Sequence, residues 1–377
     1  MEVSRRLICA LALYAPVSGP QLRRLVEALG PEENDKWWSG GRVLDGPANG
    51  LGLSKRKRQK IYEVLARDPK DVAKTVGRWP GTIVLYGEED YPARLCDLDE
   101  PPAALHVLGS TAALSYPGIA VVGSRKIGVA AGRSARSIME PVLRGGPSLI
   151  SGGALGSDAL AHRCAVDVGA LTVSVLPCGV SEPSPKRNAR LFEEIVNSGG
   201  VLVSEYPPDQ KVRKYHFRRR NRLIAALSRG VFVLRAGEKS GTMLTVEAAR
   251  VLERPLAAMP GAPDEPHVGG CHDILRGGGA IIANASDLAR WWREIGPECC
   301  HDNEQREIGQ AIGEPNLPEC EILQAAVELA DEGRAFSIEG LTRATGRSAS
   351  ALQSVLLRHE LAGVIEKVSG ADRYRIR

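Results

Sequence analysis

From Gly118 onward, short apolar runs rich in β-branched residues alternate with segments of helical periodicity. This alternation constrains the fold more than any other feature of the chain. The runs at 119–122, 148–150, 171–176, 201–203, 231–234, 255–258 and 280–283 read as strands. Helices are expected over about 128–144, 155–168, 188–198, 219–228, 241–253, 270–276 and 286–294. Strands that are apolar throughout, separated by helices, predict an α/β fold: a parallel sheet with helices on both faces. Right-handed crossovers then bring the loops at the strands' carboxyl ends to one edge, where ligands bind at the switch in strand order.

Those loops carry small residues where each strand hands over to a helix. They are Gly123-Ser124-Arg125, Ser151-Gly152-Gly153 running on to Asp158, Pro177-Cys178-Gly179 leading to Ser184-Pro185-Lys186, Ser204-Glu205-Tyr206, and Gly237 to Ser240-Gly241-Thr242. Glycine lets backbone N–H groups approach an anion closely, and a helix N-terminus favours negative charge. Any one of these loops reads equally as a tight turn. None is GxGxxG followed by an acidic residue, so a dinucleotide cofactor is disfavoured.

After the fourth strand comes Lys211 to Arg222, with seven cations, no acid, and Tyr215 and Phe217 among the charges. Arginine forks match phosphate oxygens, and aromatic rings stack on bases. The expected groove holds phosphates with Gly123, Ser124, Arg125, Ser151, Gly152, Gly153, Lys186, Phe217, Arg219, Arg220, Asn221, Arg222, Ser240, Gly241 and Thr242. A solvated loop is the competing reading of the charge run. The net charge is only +4, yet 211–222 carries seven cations and Lys55, Arg56, Lys57, Arg58 and Lys60 add five. The rest of the chain is therefore net acidic, and the positive charge is concentrated as a polyanion binder requires.

Eight cysteines are scattered without a CxxC pair, which points to reduced thiols and a cytoplasmic setting. Cys299-Cys300-His301 with Cys320 fits no common zinc spacing, so no metal is expected. Arg5 and Arg6 precede an apolar run too short for a signal peptide, and a buried helix is expected there. No stretch approaches the length of a membrane span.

Residues 1–78 read as a small helical domain whose helix–Gly-turn–helix pattern suits nucleic-acid backbone contact or protein docking equally. Strands near 82–86 and 105–108 lead into the main domain, placed at 79–294. Residues 295–316 lack periodicity and read as a linker. From 317 to 377, helices at about 319–331, 337–345 and 349–362 and a hairpin around Gly370-Ala371-Asp372 predict a winged helix. Ser337 is its expected helix cap. The third helix carries Arg358 against Glu360, with Arg347 flanking, which favours protein docking over duplex binding.

Together the motifs resemble the DprA/Smf family of bacterial DNA-processing proteins. The resemblance rests on Gly123-Ser124-Arg125, Ser151-Gly152 through Gly156 to Asp158, Ala161-His162, Ser204-Glu205-Tyr206, Phe217 with Arg220-Asn221-Arg222, Ser240-Gly241-Thr242, Pro260-Gly261 and Gly270-Cys271. It covers about 80–293. It implies an extended Rossmann-like sheet flanked by an N-terminal SAM- or helix-hairpin-helix-like domain and a winged helix. It also implies sequence-independent single-stranded DNA binding, loading of the RecA recombinase during natural transformation or recombination, a homodimer, and no cofactor, catalysis or membrane partner. Ser157, Ser184, Arg218 and His272 depart from the family pattern.

The alternative is an enzyme. Phosphoribohydrolases of the cytokinin-activating kind look similar around Ser240-Gly241-Thr242 but need a glutamate where Thr245 stands, and the nearest acid is Glu247. Two residues turn a helical side chain by about 200°. Asp158 and His162 are four apart on one helix face, as an acid–base pair or as a helix cap and a packed imidazole. A third reading is a nucleotide-sensing scaffold.

Overall fold

The apolar runs become strands of one mixed sheet. The computed structural model describes residues 8–29 apart from 13 and 16, 54–65, 68–144, 146–295, 336–345, 365–367 and 373–376. The strands are β1 (Thr82–Leu85), β2 (Ala104–Gly109), β3 (Gly118–Val122), β4 (Ser148–Ser151), β5 (Thr172–Val175), β6 (Val201–Ser204), β7 (Gly230–Val233), β8 (Leu256–Ala258) and β9 (Ala280–Ile281). Their order is β1-β2-β6-β5-β4-β3-β7-β8-β9. Every pairing from β6 to β9 is parallel. The two lead-in strands extend the sheet antiparallel, β1 on β2 and β2 on β6.

The helices, in chain order, are α1 (Gly19–Leu29), α2 (Lys55–Leu65), α3 (Pro69–Val76), α4 (Ala112–Ser115), α5 (Val129–Leu143), α6 (Ser157–Asp167), α7 (Ala189–Asn197), α8 (Lys214–Leu227), α9 (Met243–Val251), α10 (Gly269–Arg276) and α11 (Ala285–Glu294). Side chains of a strand point alternately to opposite faces, and β3 divides accordingly. Ala120 and Val122 join the core against α8 and α9, which includes Ile224 and Val246. Ile119 and Val121 join the core against α5, α6 and α11, which includes Met139, Phe232 and Trp291. A third cluster joins Leu11, Leu22 and Ile61 from the N-terminal helices to Ile83 and Leu85 of β1. Cys9 to Ala12 lie buried within it, as the apolar run near the N-terminus suggests.

One helix differs from expectation in a way that matters. α8 starts at Lys214 rather than near 219. The His216 ring hydrogen-bonds to the Pro177 carbonyl at 3.0 Å and stacks on Tyr206 with centroids 4.1 Å apart. This anchoring holds the first turn without a capping side chain. Most of the basic stretch is therefore wound into a helix, and successive cations point about 100° apart.

The chain forms two compact units, Met1–Pro297 and Glu298–Arg377. In the second, β10 (Phe336–Ser337), β11 (Ile365–Lys367) and β12 (Arg373–Ile376) pair antiparallel in the order β10-β12-β11. α12 (Ile338–Thr345) follows β10, and the Gly340 amide donates to Ser337 Oγ at 3.1 Å, the expected cap. The expected linker, most of the outer helices, Arg347, Arg358, Glu360, Cys299, Cys300, His301 and Cys320 lie outside the described residues. No described helix is long and apolar enough to cross a membrane. The described cysteines, residues 9, 96, 164, 178 and 271, form no disulfide.

Phe232 is fully buried in the central strand β7. Phe232→Ala is expected to lower the unfolding free energy by about 3–5 kcal/mol, read from urea denaturation.

Candidate nucleic-acid interface

The chain leaves β3 for β4 on one side and later places β7 on the other. The loops after β3 and β7 thus diverge and leave a crevice at the carboxyl edge. A cavity of about 310 Å³ occupies it. Gly123, Ser124 and Arg125 line it from the first loop, Ser240, Gly241 and Thr242 from the other, and Phe217, Arg220 and Asn221 from α8. Nine of the expected phosphate-binding residues are brought together in this one place.

Each wall is pinned by backbone chemistry. The Ser124 amide donates to the Arg235 carbonyl at 2.7 Å, and Ser157 Oγ donates to the Ser124 carbonyl at 3.0 Å. Gly156 has φ +78°, and a Cβ there would fall 2.5 Å from the Arg125 carbonyl carbon. Asn221 Nδ2 donates to the Gly241 carbonyl at 3.3 Å, tying α8 to the loop before α9. That loop leads into α9 and takes up the helix's first amides: Met243 donates to the Ser240 carbonyl at 3.1 Å, Leu244 to Gly241 at 3.3 Å and Thr245 to Thr242 at 3.0 Å.

Arg220 is buried. Its Nη1 donates to the Gly152 carbonyl at 2.6 Å and to the Val175 carbonyl, and its Nε donates to Asn221 Oδ1 at 3.1 Å. A Cβ on Gly152 would lie 2.6 Å from the guanidinium, so this close approach requires glycine. Burial lowers the Arg220 pKa to about 10. Burial raises that of Asp158, an effect that Arg220 opposes. Asp158, in the first turn of α6, accepts from the Ala154 amide at 3.3 Å and so braces the loop before the helix. The N-cap is Gly156, with no side-chain cap, so the expected capping role is not what the side chain does. His162 is buried with Nδ1 2.8 Å from Thr172 Oγ1, and burial, then Arg220, push its pKa down to about 3. It is the packed imidazole of the two sequence readings.

Arg125 is different. It is exposed, makes no ion pair among the described residues, and lies 5.2 Å over the Phe217 ring. A guanidinium held on an aromatic face is oriented without being neutralised. Ser240 Oγ is shielded from solvent and has no hydrogen-bond partner among the described residues. It lines the cavity, where it is able to hydrogen-bond a polar ligand.

Six expected residues are placed elsewhere. Ser151, Gly152 and Gly153 are buried beneath the cavity, and Ser151 Oγ donates to the Val121 carbonyl at 2.6 Å. Lys186 is exposed on a 3₁₀ turn, Lys186–Asn188. Arg219 and Arg222 turn to the buried carboxylate of Glu205, at 3.2 and 2.6 Å. The helical winding of α8 separates them from Arg220. Sequence reasoning missed Asn188, whose Nδ2 donates to the Gly153 carbonyl at 2.9 Å, and His267, which lines the cavity from a loop after β8. Only the side-chain amide type hinted at the first, and no pattern marked the second. Thr245 lines the cavity, while Glu247 is exposed on another face of α9.

Arg220→Met is expected to lower stability by about 3–5 kcal/mol, because it strands the carbonyls and carboxylate that the guanidinium serves. Arg125→Ala should change it by no more than about 0.5 kcal/mol. Equilibrium unfolding of both variants measures this. His162, kept neutral in the fold, makes stability fall as pH drops from its ordinary 6.5 towards about 3, because only the unfolded chain takes the proton. The slope is roughly 1.4 kcal/mol per pH unit. His162→Gln should remove that slope. Asp158 contributes with the opposite sign in both proteins, so the difference in urea unfolding across pH 6 to 4 reports His162.

A family model for DNA recombination-mediator protein A matches residues 82–293, and one for the DprA winged helix domain matches 329–371. Protein Smf of Escherichia coli K12 is 31% identical over 295 residues, covering 76% of each chain. The structure of DNA processing protein A from Streptococcus pneumoniae superposes with a TM-score of 0.64 at 26% identity, covering 77% of this chain and 97% of that one. DNA processing protein A from Helicobacter pylori, described for its unique single-stranded DNA binding mode, has a TM-score of 0.51 at 28% identity, over 57% of this chain and 97% of its own. The chain belongs to the DprA (Smf) family of DNA recombination-mediator proteins.

Proposed function

We propose that this chain binds single-stranded DNA without regard to sequence, protects it, and presents it to the RecA recombinase during DNA uptake or recombination. The observation that carries the binding step is Arg125, unpaired by any described acid and seated over Phe217 at the mouth of a cavity containing the unpartnered Ser240 hydroxyl. Arg125 supplies the phosphate contact, Phe217 a ring for a base, and the 240–242 turn further donors. The binding mode named for the Helicobacter pylori relative supports the same ligand. RecA, a homodimeric state and a cytoplasmic setting enter from family membership.

A binding role fits the site better than phosphoribohydrolase chemistry. Thr245 stands where that reaction needs a carboxylate, Glu247 faces solvent, and Asp158 and His162 are committed to internal hydrogen bonds. A nucleotide sensor would fill the same cavity but would gain little from the cations beyond it.

The test is a titration of labelled single-stranded oligonucleotide and of blunt duplex at several ionic strengths. Contact with about four to six phosphates gives a slope of log affinity on log salt of roughly −3 to −4. Arg125→Ala should weaken single-strand binding about tenfold for all sequences alike, and RecA should assemble more slowly on strand presented by that variant. Salt-independent affinity, or equal affinity for duplex, would sink the reading. Release of free base from nucleoside monophosphates would favour the enzyme.

A further inference from the structure

A second cavity, of about 870 Å³, lies between the N-terminal helices and the first turn of α8. Arg56 and Lys60 of α2 line one side, and Arg213, Arg219, Tyr206 and Tyr215 the other. Glu205 is the only carboxylate in its lining among the described residues, and both Arg219 and Arg222 pair with it. Arg56 and Arg213 are exposed and make no ion pair among the described residues. The cavity therefore carries excess positive charge contributed by two distant parts of the chain.

Its aromatic residues form a ladder. Tyr206 stacks on His216 with centroids 4.1 Å apart, and Tyr215 meets His216 edge-on at 4.5 Å. Tyr215 ends the ladder and is 61% exposed. The Tyr206 hydroxyl is buried and has no hydrogen-bond partner among the described residues. An exposed ring, Tyr215, beside unpaired cations suits a base and its phosphates, which an acidic peptide would exploit only in part.

α8 separates the two cavities. Phe217, Arg220 and Asn221 line the first, while Arg213, Tyr215 and Arg219 line the second. A helix with its side chains is about 10 Å across, so a few nucleotides could pass from one cavity over the first turn to the other.

We infer that a second segment of the same single strand binds in this cavity, with phosphates on Arg56 and Arg213 and a base on Tyr215. The inference rests on single-stranded DNA binding at the first cavity. The N-terminal helices then act as the far wall of an extended track, and the site length grows beyond what the first cavity alone can hold.

The experiment compares oligothymidylates of about 5 and about 16 nucleotides, the range of site sizes on comparable surfaces. The double variant Arg56→Glu/Arg213→Glu should weaken binding of the longer strand at least tenfold and reduce its salt slope by about 1.4, two phosphates' worth. Binding of the shorter strand should stay within twofold. Tyr215→Ala, which removes only an exposed ring, should also weaken the longer strand selectively, and unchanged urea midpoints establish that both variants fold. Equal weakening of both lengths, or of neither, overturns the inference. So does competition by polyglutamate of equal charge as effective as that by the longer strand. Arg125→Ala separately decides the first cavity, since it should weaken both lengths.

Discussion

A buried guanidinium sits where the strands of this sheet end. Burying a cation is expensive unless each donor finds an acceptor, and Arg220 meets that condition with main-chain carbonyls. Gly152 follows β4, Val175 ends β5, and both accept from Nη1. Nε engages Asn221, whose amide reaches the loop before α9. One side chain thus joins two parallel strands, the crossover helix α8 and the next βα loop. Both carbonyls lie at the carboxyl ends of their strands, and the guanidinium hydrogen-bonds them while Asp158 offsets its charge. Remove it and the angle of α8 on the sheet loses its main polar constraint. The positions of Phe217 and of the Ser240 loop depend on that angle.

The same fixation explains how the cations are divided. In an extended loop, Arg218, Arg219, Arg220 and Arg222 could all reach one ligand. In a helix anchored by His216 and Arg220 they cannot, because neighbours diverge by about 100°. Arg220 goes inward and Arg219 and Arg222 go to Glu205. The Glu205 carboxylate is 3% exposed and takes both arginines. Burial costs that carboxylate its water, and two guanidinium partners restore much of it. The cost is cationic reach: two of the most basic positions in the sequence serve the fold. Among the cations that line the cavities, Arg125 at one and Arg56 and Arg213 at the other remain exposed and without an ion pair among the described residues.

The fold was legible because its signals are local and redundant. Seven apolar runs became strands β3 to β9, and Ser337 capped its helix, since period and capping chemistry survive in any tertiary setting. The start of α8 was not legible, because a His216–Tyr206 stack between residues ten apart outweighs the absence of a local cap. Within the site, the glycine–serine loops could be placed from sequence because the sheet's topology alone carries them to one edge. The arginines could not, because a charge run does not say which of its members will be buried. Nor could Asn188, which looks like a loop polar residue until its donors meet the carbonyls of Gly153 and Ala154.

The division of labour among polar side chains also bears on specificity. Reading a base needs a side chain free to pair with its edge. Asn221, the amide best suited to that task, is held between Arg220 and Gly241. Asp158 is buried and holds the Ala154 amide of the loop before α6, and Asn188 braces a turn. The groups left facing the cavity are a guanidinium, hydroxyls, an aromatic face and the His267 imidazole. A guanidinium meets phosphates whatever base follows, and a ring stacks on any base. The internal hydrogen bonds that hold this edge together therefore also occupy Asn221 and Asp158, two groups that could have read a base edge. For the proposed single-strand binding, the bracing of the fold itself then favours contacts to phosphates and ring faces over contacts to base edges.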